Sequence, residues 1–338
     1  MNKAFHKVII YHDEVKDIPD VNLRGHILLF VPISISIDNS TPLLGDYHTD
    51  YFPRIVLYQE ICKVRKKYNF YNKMHFSDIG GKKWTKFDEA KREILGIIID
   101  ALKIKSSFYF NSPLNCKFAV IFYPKGKDLK FYSGETKKEK TFRYDETLLR
   151  ILIKGSAHFL YDSEKQIEIE EFITDGFSTF RPLNENRILF QIKIDEFSGR
   201  SELRNYVHFD PNLSINHLPS DHRNYEVDST DFINANLLQV ADLLLGSINR
   251  VCFTNSKLPT KIPQIGELCS KKDVIAVLMK NLLEKKFRGK GFIHSSHYKT
   301  FVVSKVDFLG DEIVFSEVGI SNNNNEINPD QLPLIFNN

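Results

Sequence analysis

Three aspartates stand at positions where an acidic side chain could do chemistry. Asp13 ends the first predicted strand, Asp175 ends a later predicted strand, and Asp242 lies inside an apolar helical run. A carboxylate is rarely buried unless it is paired or bound to a metal. Three carboxylates held together repel one another, so they need a cation or a proton. Oxygen ligands favour Mg²⁺ or Mn²⁺, and two such ions can promote phosphodiester hydrolysis.

Each aspartate also has an ordinary structural interpretation. Asp13 could mark a polar strand exit, and the dipeptide that begins with Asp175 is a common turn. Asp242 is harder to explain, because residues 237–246 (LLQVADLLLG) place it where helix patterning predicts an apolar side chain. A buried ion pair with Arg or Lys is the alternative there. Gln239 lies one turn earlier on the same face and could orient Asp242 or contact a substrate.

Basic residues near an aromatic ring are candidates for substrate binding. Lys82 and Lys83 precede Trp84, the only tryptophan, on which a nucleic-acid base could stack. Charge runs of this kind are usually solvated surface, which is the competing interpretation. A second lysine cluster is the other candidate: Lys137, Lys138 and Lys140.

Composition excludes several classes of protein. The net charge of +3, from 46 basic and 43 acidic side chains, excludes a polycation but permits a local basic face. The four cysteines have no paired spacing, so neither a disulfide framework nor a zinc ribbon is expected. No phosphate-binding glycine loop and no serine-nucleophile motif is present. No signal peptide and no apolar run of about 18 residues is found, which predicts a cytoplasmic protein without a membrane partner.

The hydrophobic pattern predicts a mixed α/β fold with a central sheet flanked by helices. The apolar first strand is expected in the sheet interior. Thr85 with Asp88 resembles a capping box, and Asp145 is a candidate N-cap. Strands are predicted at residues 7–12, 26–37, 117–123, 167–174 and 213–218. Helices are predicted at residues 55–68, from 85 onward, and at 144–161, 183–197, 232–251 and 272–286.

A break in the pattern at residues 259–266 predicts two units. Residues 1–250 would form the α/β domain. Residues 251–338 would form a C-terminal appendage of linker, helix, β-hairpin over 301–318 and polar tail. Such an appendage could contact a substrate or a protein partner.

Residues of the first unit resemble the domain of unknown function 3800 family, which is similar to the RNase H superfold. The likeness rests on Asp13-Glu14 after the first strand, Asp175 after a later one, and Gln239 with Asp242 in the helix LLQVADLLLGSINR. Residues 74–78 (MHFSD) look like a further family segment that carries an acid, here Asp78, and residues 228–229 precede the helix as in the family pattern. The likeness spans roughly residues 5–250 by order of elements.

The resemblance implies a metal-dependent nuclease with an RNase H-like fold. Asp13, Asp175 and Asp242 would bind the metals, and Glu14 and Asp78 would be secondary ligands. Two departures favour an alternative, a catalytically impaired module that binds nucleic acid or a partner protein in a mobile-element or phage-defence assembly. The family usually has Asp-Glu-Ser-Gly at residues 13–16, which read DEVK here, and Glu-Leu-Lys where residues 78–82 read DIGGK. A third possibility is a hydrolase of small phosphoesters with a closed pocket.

Overall fold

The computed structural model describes most of the chain. The described residues are 6–18, 21–33, 53–102, 116–125, 136–161, 167–176, 182–190, 192, 207–210, 212–253, 258–287, 301–309 and 312–318.

A mixed sheet of eight strands forms the centre of the described structure. Its strands run in the order β5-β4-β1-β2-β3-β7-β8, and β6 also pairs with β4. β1 lies in the interior, parallel to β4 and antiparallel to β2, which confirms the prediction for the apolar first strand. The strands are β1 (His6–Ile18), β2 (Leu23–Pro32), β3 (Lys117–Pro124), β4 (Ile167–Asp175), β5 (Val207–Phe209), β6 (Ile215–Leu218), β7 (Phe301–Leu309) and β8 (Glu312–Glu317).

Helices cover both faces of this sheet. One core joins the sheet to α1, α2, α4 and α5, and we call that side the α4 face. The other core joins the sheet to α3, and we call that side the α3 face. None of the helices in the described part is long and apolar enough to cross a membrane. The helices are α1 (Pro53–Tyr68), α2 (Lys86–Ala101), α3 (Lys137–Leu160), α4 (Thr230–Phe253) and α5 (Lys271–Phe287).

Helix starts follow capping chemistry. Thr85 and Asp88 form the expected capping box of α2. α3 begins earlier than expected, because Thr136 and Glu139 form a second capping box. Asp145 is therefore not an N-cap. It lies buried in the third turn of the helix.

The predicted helix at 183–197 is also not found in full. The described residues of that range contain a short π-helical turn at Asn186–Phe190. Residues 191 and 193–197 lie outside the described part.

The predicted division at residue 250 is wrong for the described elements. β7 pairs in parallel with β3, and the rings of Phe118 and Phe301 stack with centroids 4.9 Å apart. α5 packs against α4, where Arg250 donates to Asp273 at 2.5 Å. The hairpin and helix thus complete the central sheet and its α4-face core rather than forming an appendage. The expected hairpin turn at 310–311 and the polar tail lie outside the described residues.

Candidate active site

Strand pairing places two of the three aspartates on one face of the sheet. His12 of β1 pairs with Thr174 of β4, and these two strands are parallel neighbours. Asp13 and Asp175 are the next residues along their strands, so they lie side by side at the same end of the sheet. Side chains alternate between faces along a strand, and Tyr11 packs in the α4-face core. Asp13, two residues later, therefore faces α4, and by the same rule Asp175 shares that face with Ile173.

Asp242 comes to the same place from α4. Burial, followed by the charges of Asp242 and Asp175, raises the pKa of Asp13 well above its usual range. Burial also raises the pKa of Asp242, although His75, the Phe76 N–H and a hydrogen bond with Asp13 act in the opposite direction. The structure thus brings the three predicted aspartates into one interacting group, in which Asp13 and Asp242 are adjacent.

The backbone of residues 74–78 holds Asp242 in position. The Phe76 N–H donates to Oδ2 of Asp242 at 2.6 Å. The Phe76 ring packs against Gly246, one turn further along α4, where an added Cβ would lie 2.2 Å from a ring carbon. Glycine at 246 is therefore what allows this segment to approach the helix and orient the carboxylate.

Gln239 has a different role from the one expected. It is 1% exposed, so it does not contact a substrate. Its Oε1 accepts the Met74 N–H at 2.7 Å and Nη2–H of Arg65 at 2.8 Å. Its Nε2 donates to the Ser220 carbonyl at 2.6 Å, and the Ser220 N–H donates to Asp175 at 2.8 Å. Gln239 thus ties α4 to the segments on both sides of the site.

His75 also belongs to the site, although its position in the sequence predicted no role for it. Its Nε2 lies 3.5 Å from Oδ1 of Asp242, and its Nδ1 lies 2.7 Å from Oγ of Ser77. Ser77 in turn donates to Asp78 at 3.1 Å. Asp78 is exposed. The signal for it in the sequence is the histidine of the MHFSD segment, three residues before Asp78.

Glu14 points away from the aspartates. It follows Asp13 in β1, so its side chain faces α3, and its Oε1 lies 3.5 Å from Nζ of Lys16. A polar chain occupies that face. His12 Nδ1 lies 2.7 Å from Thr174 Oγ1, and His12 Nε2 lies 3.1 Å from His26 Nδ1. Nε2 of His26 then contacts the hydroxyl of Tyr123.

The contacts at Asp145 determine which group donates in each of these hydrogen bonds. Tyr123 donates to Asp145 at 3.1 Å, and Arg24 donates to the same carboxylate at 2.7 Å. Because the tyrosine proton goes to Asp145, His26 Nε2 must donate to Tyr123, at 2.8 Å. With both imidazoles neutral, His26 Nδ1 then accepts from His12 Nε2. The tautomers of both histidines are thereby assigned from their partners.

Of the three residues predicted to bind substrate, the two lysines are accessible to solvent and the tryptophan is not. Lys82 and Lys83 are exposed, but Trp84 is 1% exposed, and its Nε1–H donates to Glu89 at 3.0 Å. The ring is part of the α4-face core, so the prediction that a base stacks on it is wrong. The second lysine cluster lies in the first turn of α3, on the opposite side of the sheet from the aspartates: Lys137, Lys138 and Lys140.

The carboxylate groups of the site suit a hard cation, but their spacing does not form a complete metal site. Asp13, Asp175 and Asp242 offer anionic oxygens whose mutual repulsion a divalent ion would relieve. Among the described residues, however, no three His, Cys, Asp or Glu side chains are arranged to hold a metal ion. Mg²⁺ is commonly held by one or two carboxylates with waters and substrate phosphates. The adjacent Asp13 and Asp242 fit that mode, rather than a site formed in full before substrate binds.

Comparisons of the chain with protein-family models, with curated proteins and with solved structures find no match.

Proposed function

We propose that this protein is a metal-dependent phosphodiester hydrolase that acts on nucleic acid. The observation that carries the proposal is the adjacent pair Asp13 and Asp242, both with raised pKa values, with the charge of Asp175 acting on both. Carboxyl groups whose pKa values are raised by burial and by neighbouring carboxylates are candidates for a functional site. Mg²⁺ or Mn²⁺ would lower the pKa of a bound water and stabilise the leaving oxygen.

The residues of the chain have distinct tasks in this proposal. Asp13 and Asp242 hold the cation, and Asp175 adds negative charge from the end of β4. Residues 74–78 fix the orientation of Asp242 through the Phe76 N–H. Gln239 keeps that segment and the Ser220 turn at a constant distance from α4.

We also propose the RNase H-like assignment and membership of the domain of unknown function 3800 family. Support comes from the interior position of β1 between antiparallel β2 and parallel β4, and from aspartates at the neighbouring ends of β1 and β4. Support also comes from an acid contributed by a buried helix, α4.

The direct test is hydrolysis of labelled DNA and RNA by the purified protein with Mn²⁺, Mg²⁺ or EDTA. We expect cleavage that requires the metal and is lost in Asp242→Asn, because the amide keeps the shape and removes the charge. Asp307→Asn is the matched control, since Asp307 lies on β7 and pairs with Lys305 at 2.9 Å. Cleavage that persists in EDTA, or in Asp242→Asn, would refute the proposal.

A second candidate function is a binding module without catalysis. It is favoured by the lack of a three-ligand metal arrangement in the described part of the chain and by the exposed position of Asp78. This module would bind the same nucleic acids, or a partner protein, without cleaving them. Retention of intact oligonucleotide by the unmodified protein in Mn²⁺ would select it over the nuclease.

A further inference from the structure

Two segments far apart in sequence pair beside the site. Lys83 and Leu268 form an antiparallel bridge. The Trp84 N–H donates to the Glu267 carbonyl at 2.8 Å, and the Cys269 N–H donates to the Lys82 carbonyl at 2.7 Å. These bonds fix the start of α5 next to the loop that carries the two exposed lysines.

Lys272, in the first turn of α5, reaches the segment that orients Asp242. Its Nζ lies 5.6 Å from the centroid of the Phe76 ring. The N–H of the same Phe76 donates to Asp242 at 2.6 Å. The Lys272 ammonium group thus lies over the ring of the residue whose backbone N–H binds the carboxylate, and that ring packs on Gly246 of α4.

Three lysines of this region have no ion-pair partner in the described part of the chain: Lys82, Lys83 and Lys272. Their neighbours differ. Lys271 pairs with Asp88 at 2.8 Å, and Asp273 is bound by Arg250. The Glu267 carboxylate accepts the Gln264 N–H at 2.8 Å. Asp88, Asp273 and Glu267 are thus already engaged. We call Lys82, Lys83 and Lys272 the lysine strip.

We propose that the lysine strip binds the phosphodiester backbone of the nucleic acid and directs it to Asp242, an inference that rests on the proposed function. Unpaired ammonium groups beside a carboxylate site match a polyanion that also carries the phosphate to be cleaved. Trp84 is buried, so the strip offers charge without a stacking ring. Phosphate contacts carry no sequence information, so binding here is insensitive to base sequence.

The experiment measures binding separately from cleavage. Fluorescence anisotropy with labelled oligothymidylate and with a mixed-sequence oligonucleotide is recorded in Ca²⁺ and in EDTA over a range of salt concentrations. We expect Lys272→Gln to weaken binding about fivefold at low salt, and Lys82→Gln/Lys83→Gln to weaken it by more, because each lysine removed loses a phosphate contact. The slope of log K against log salt should fall by about 0.7 per lysine removed.

Controls separate charge from folding. Lys86→Gln is the matched control, because Lys86 also lies over a ring, with Nζ 5.2 Å from the Phe87 centroid, but outside the strip. It should bind as the unmodified protein does. Lys272→Arg should restore the salt slope, which a merely structural defect would not allow.

The outcomes distinguish the two proposals. Unchanged binding by both the Lys272→Gln and the Lys82→Gln/Lys83→Gln proteins, or no binding by the unmodified protein, overturns the lysine strip. Metal-dependent cleavage with no effect of the lysine substitutions also overturns it and leaves the nuclease standing. Weakened, salt-dependent binding by the variants without cleavage by any protein supports the strip and refutes the nuclease.

Discussion

Gln239 accepts the backbone N–H of Met74 at 2.7 Å, and this bond joins α4 to the segment that carries His75. The helix contributes Asp242 one turn further on, so Gln239 and Asp242 bind backbone N–H groups of the same three-residue stretch, Met74 to Phe76. The site is therefore held by main-chain contacts to two polar side chains of one helix.

Gln239→Leu should lower the free energy of unfolding by about 2–4 kcal/mol. The substitution leaves Arg65, the Met74 N–H and the Ser220 carbonyl without their partner in a buried region. Urea denaturation measures the loss. Gln264→Leu, at an exposed position, should change stability by less than about 0.5 kcal/mol. Equal effects of the two substitutions would contradict the role of Gln239 in joining α4 to the segments on both sides of the site.

Asp13→Asn should stabilise the metal-free protein by about 1–2 kcal/mol above neutral pH. Burial and the neighbouring carboxylates raise the pKa of Asp13 in the folded state, so folding retains a proton that the unfolded chain releases. Stability at this group is therefore lost as pH rises from the ordinary aspartate value through the raised pKa. Urea unfolding in EDTA across this pH range measures the loss, which should shrink in the variant.

Asp221→Asn provides the control of opposite sign. Arg223 lowers the pKa of Asp221 to about 2. Its stabilisation is therefore present above the ordinary aspartate pKa and lost as pH falls towards about 2. The two substitutions should change the pH profile in opposite directions. A profile that moves the same way for both would show that the environment assigned to Asp13 is incorrect.

Gly246→Ala should displace Phe76 and cost about 1–3 kcal/mol. Its Cβ would lie 2.2 Å from the ring, and moving the ring pulls the Phe76 N–H away from Asp242. Gly155→Ala, in α3, has no atom of the described residues within 4 Å of its new Cβ and should stabilise by about 0.5–1 kcal/mol. Thermal unfolding of the two variants checks both signs, and cleavage should fall only in Gly246→Ala.

Tyr123→Phe should destabilise the protein by about 1–3 kcal/mol, because its hydroxyl joins His26 to Asp145 in a buried chain. Tyr144→Phe is the comparison, since the buried Tyr144 hydroxyl has no hydrogen-bond partner among the described residues. That variant should be as stable as the unmodified protein or more so. A similar loss in both would mean that the polar chain contributes nothing beyond ring packing.

Trp84, the only tryptophan, should emit at short wavelength in the folded protein and shift to the red on unfolding. Because the ring is buried against the core, added oligonucleotide should leave its emission unchanged while anisotropy reports binding. Quenching of the Trp84 fluorescence by the oligonucleotide would contradict this expectation and support base stacking on the ring.

Local patterns predicted much of the site. An apolar run identified β1 as an interior strand, and an acid within the apolar residues of α4 marked Asp242. The strand ends supplied Asp13 and Asp175. These features are visible because each depends on residues within one element, where side-chain periodicity sets burial.

Contacts between distant segments were not predictable in the same way. Trp84 follows two lysines and so resembles a surface residue, yet residues 267–269 cover its backbone and Glu89 binds its ring nitrogen. Gln239 has partners in three separate segments, none of which its own helix specifies. Pairing of β7 with β3 joins residues about 180 positions apart, which no local pattern encodes.

That last pairing has a consequence for how the chain acquires its fold. β3 cannot be enclosed until β7 has been synthesised, so one side of the sheet closes late, after a long-range search that slows folding. Until then Phe118 and Phe122, buried in the finished protein, border an open strand edge. Such an edge recruits other chains. Chains shortened after α4 should therefore aggregate during expression, and chaperone demand should depend on the last strands rather than on the strands that carry the aspartates.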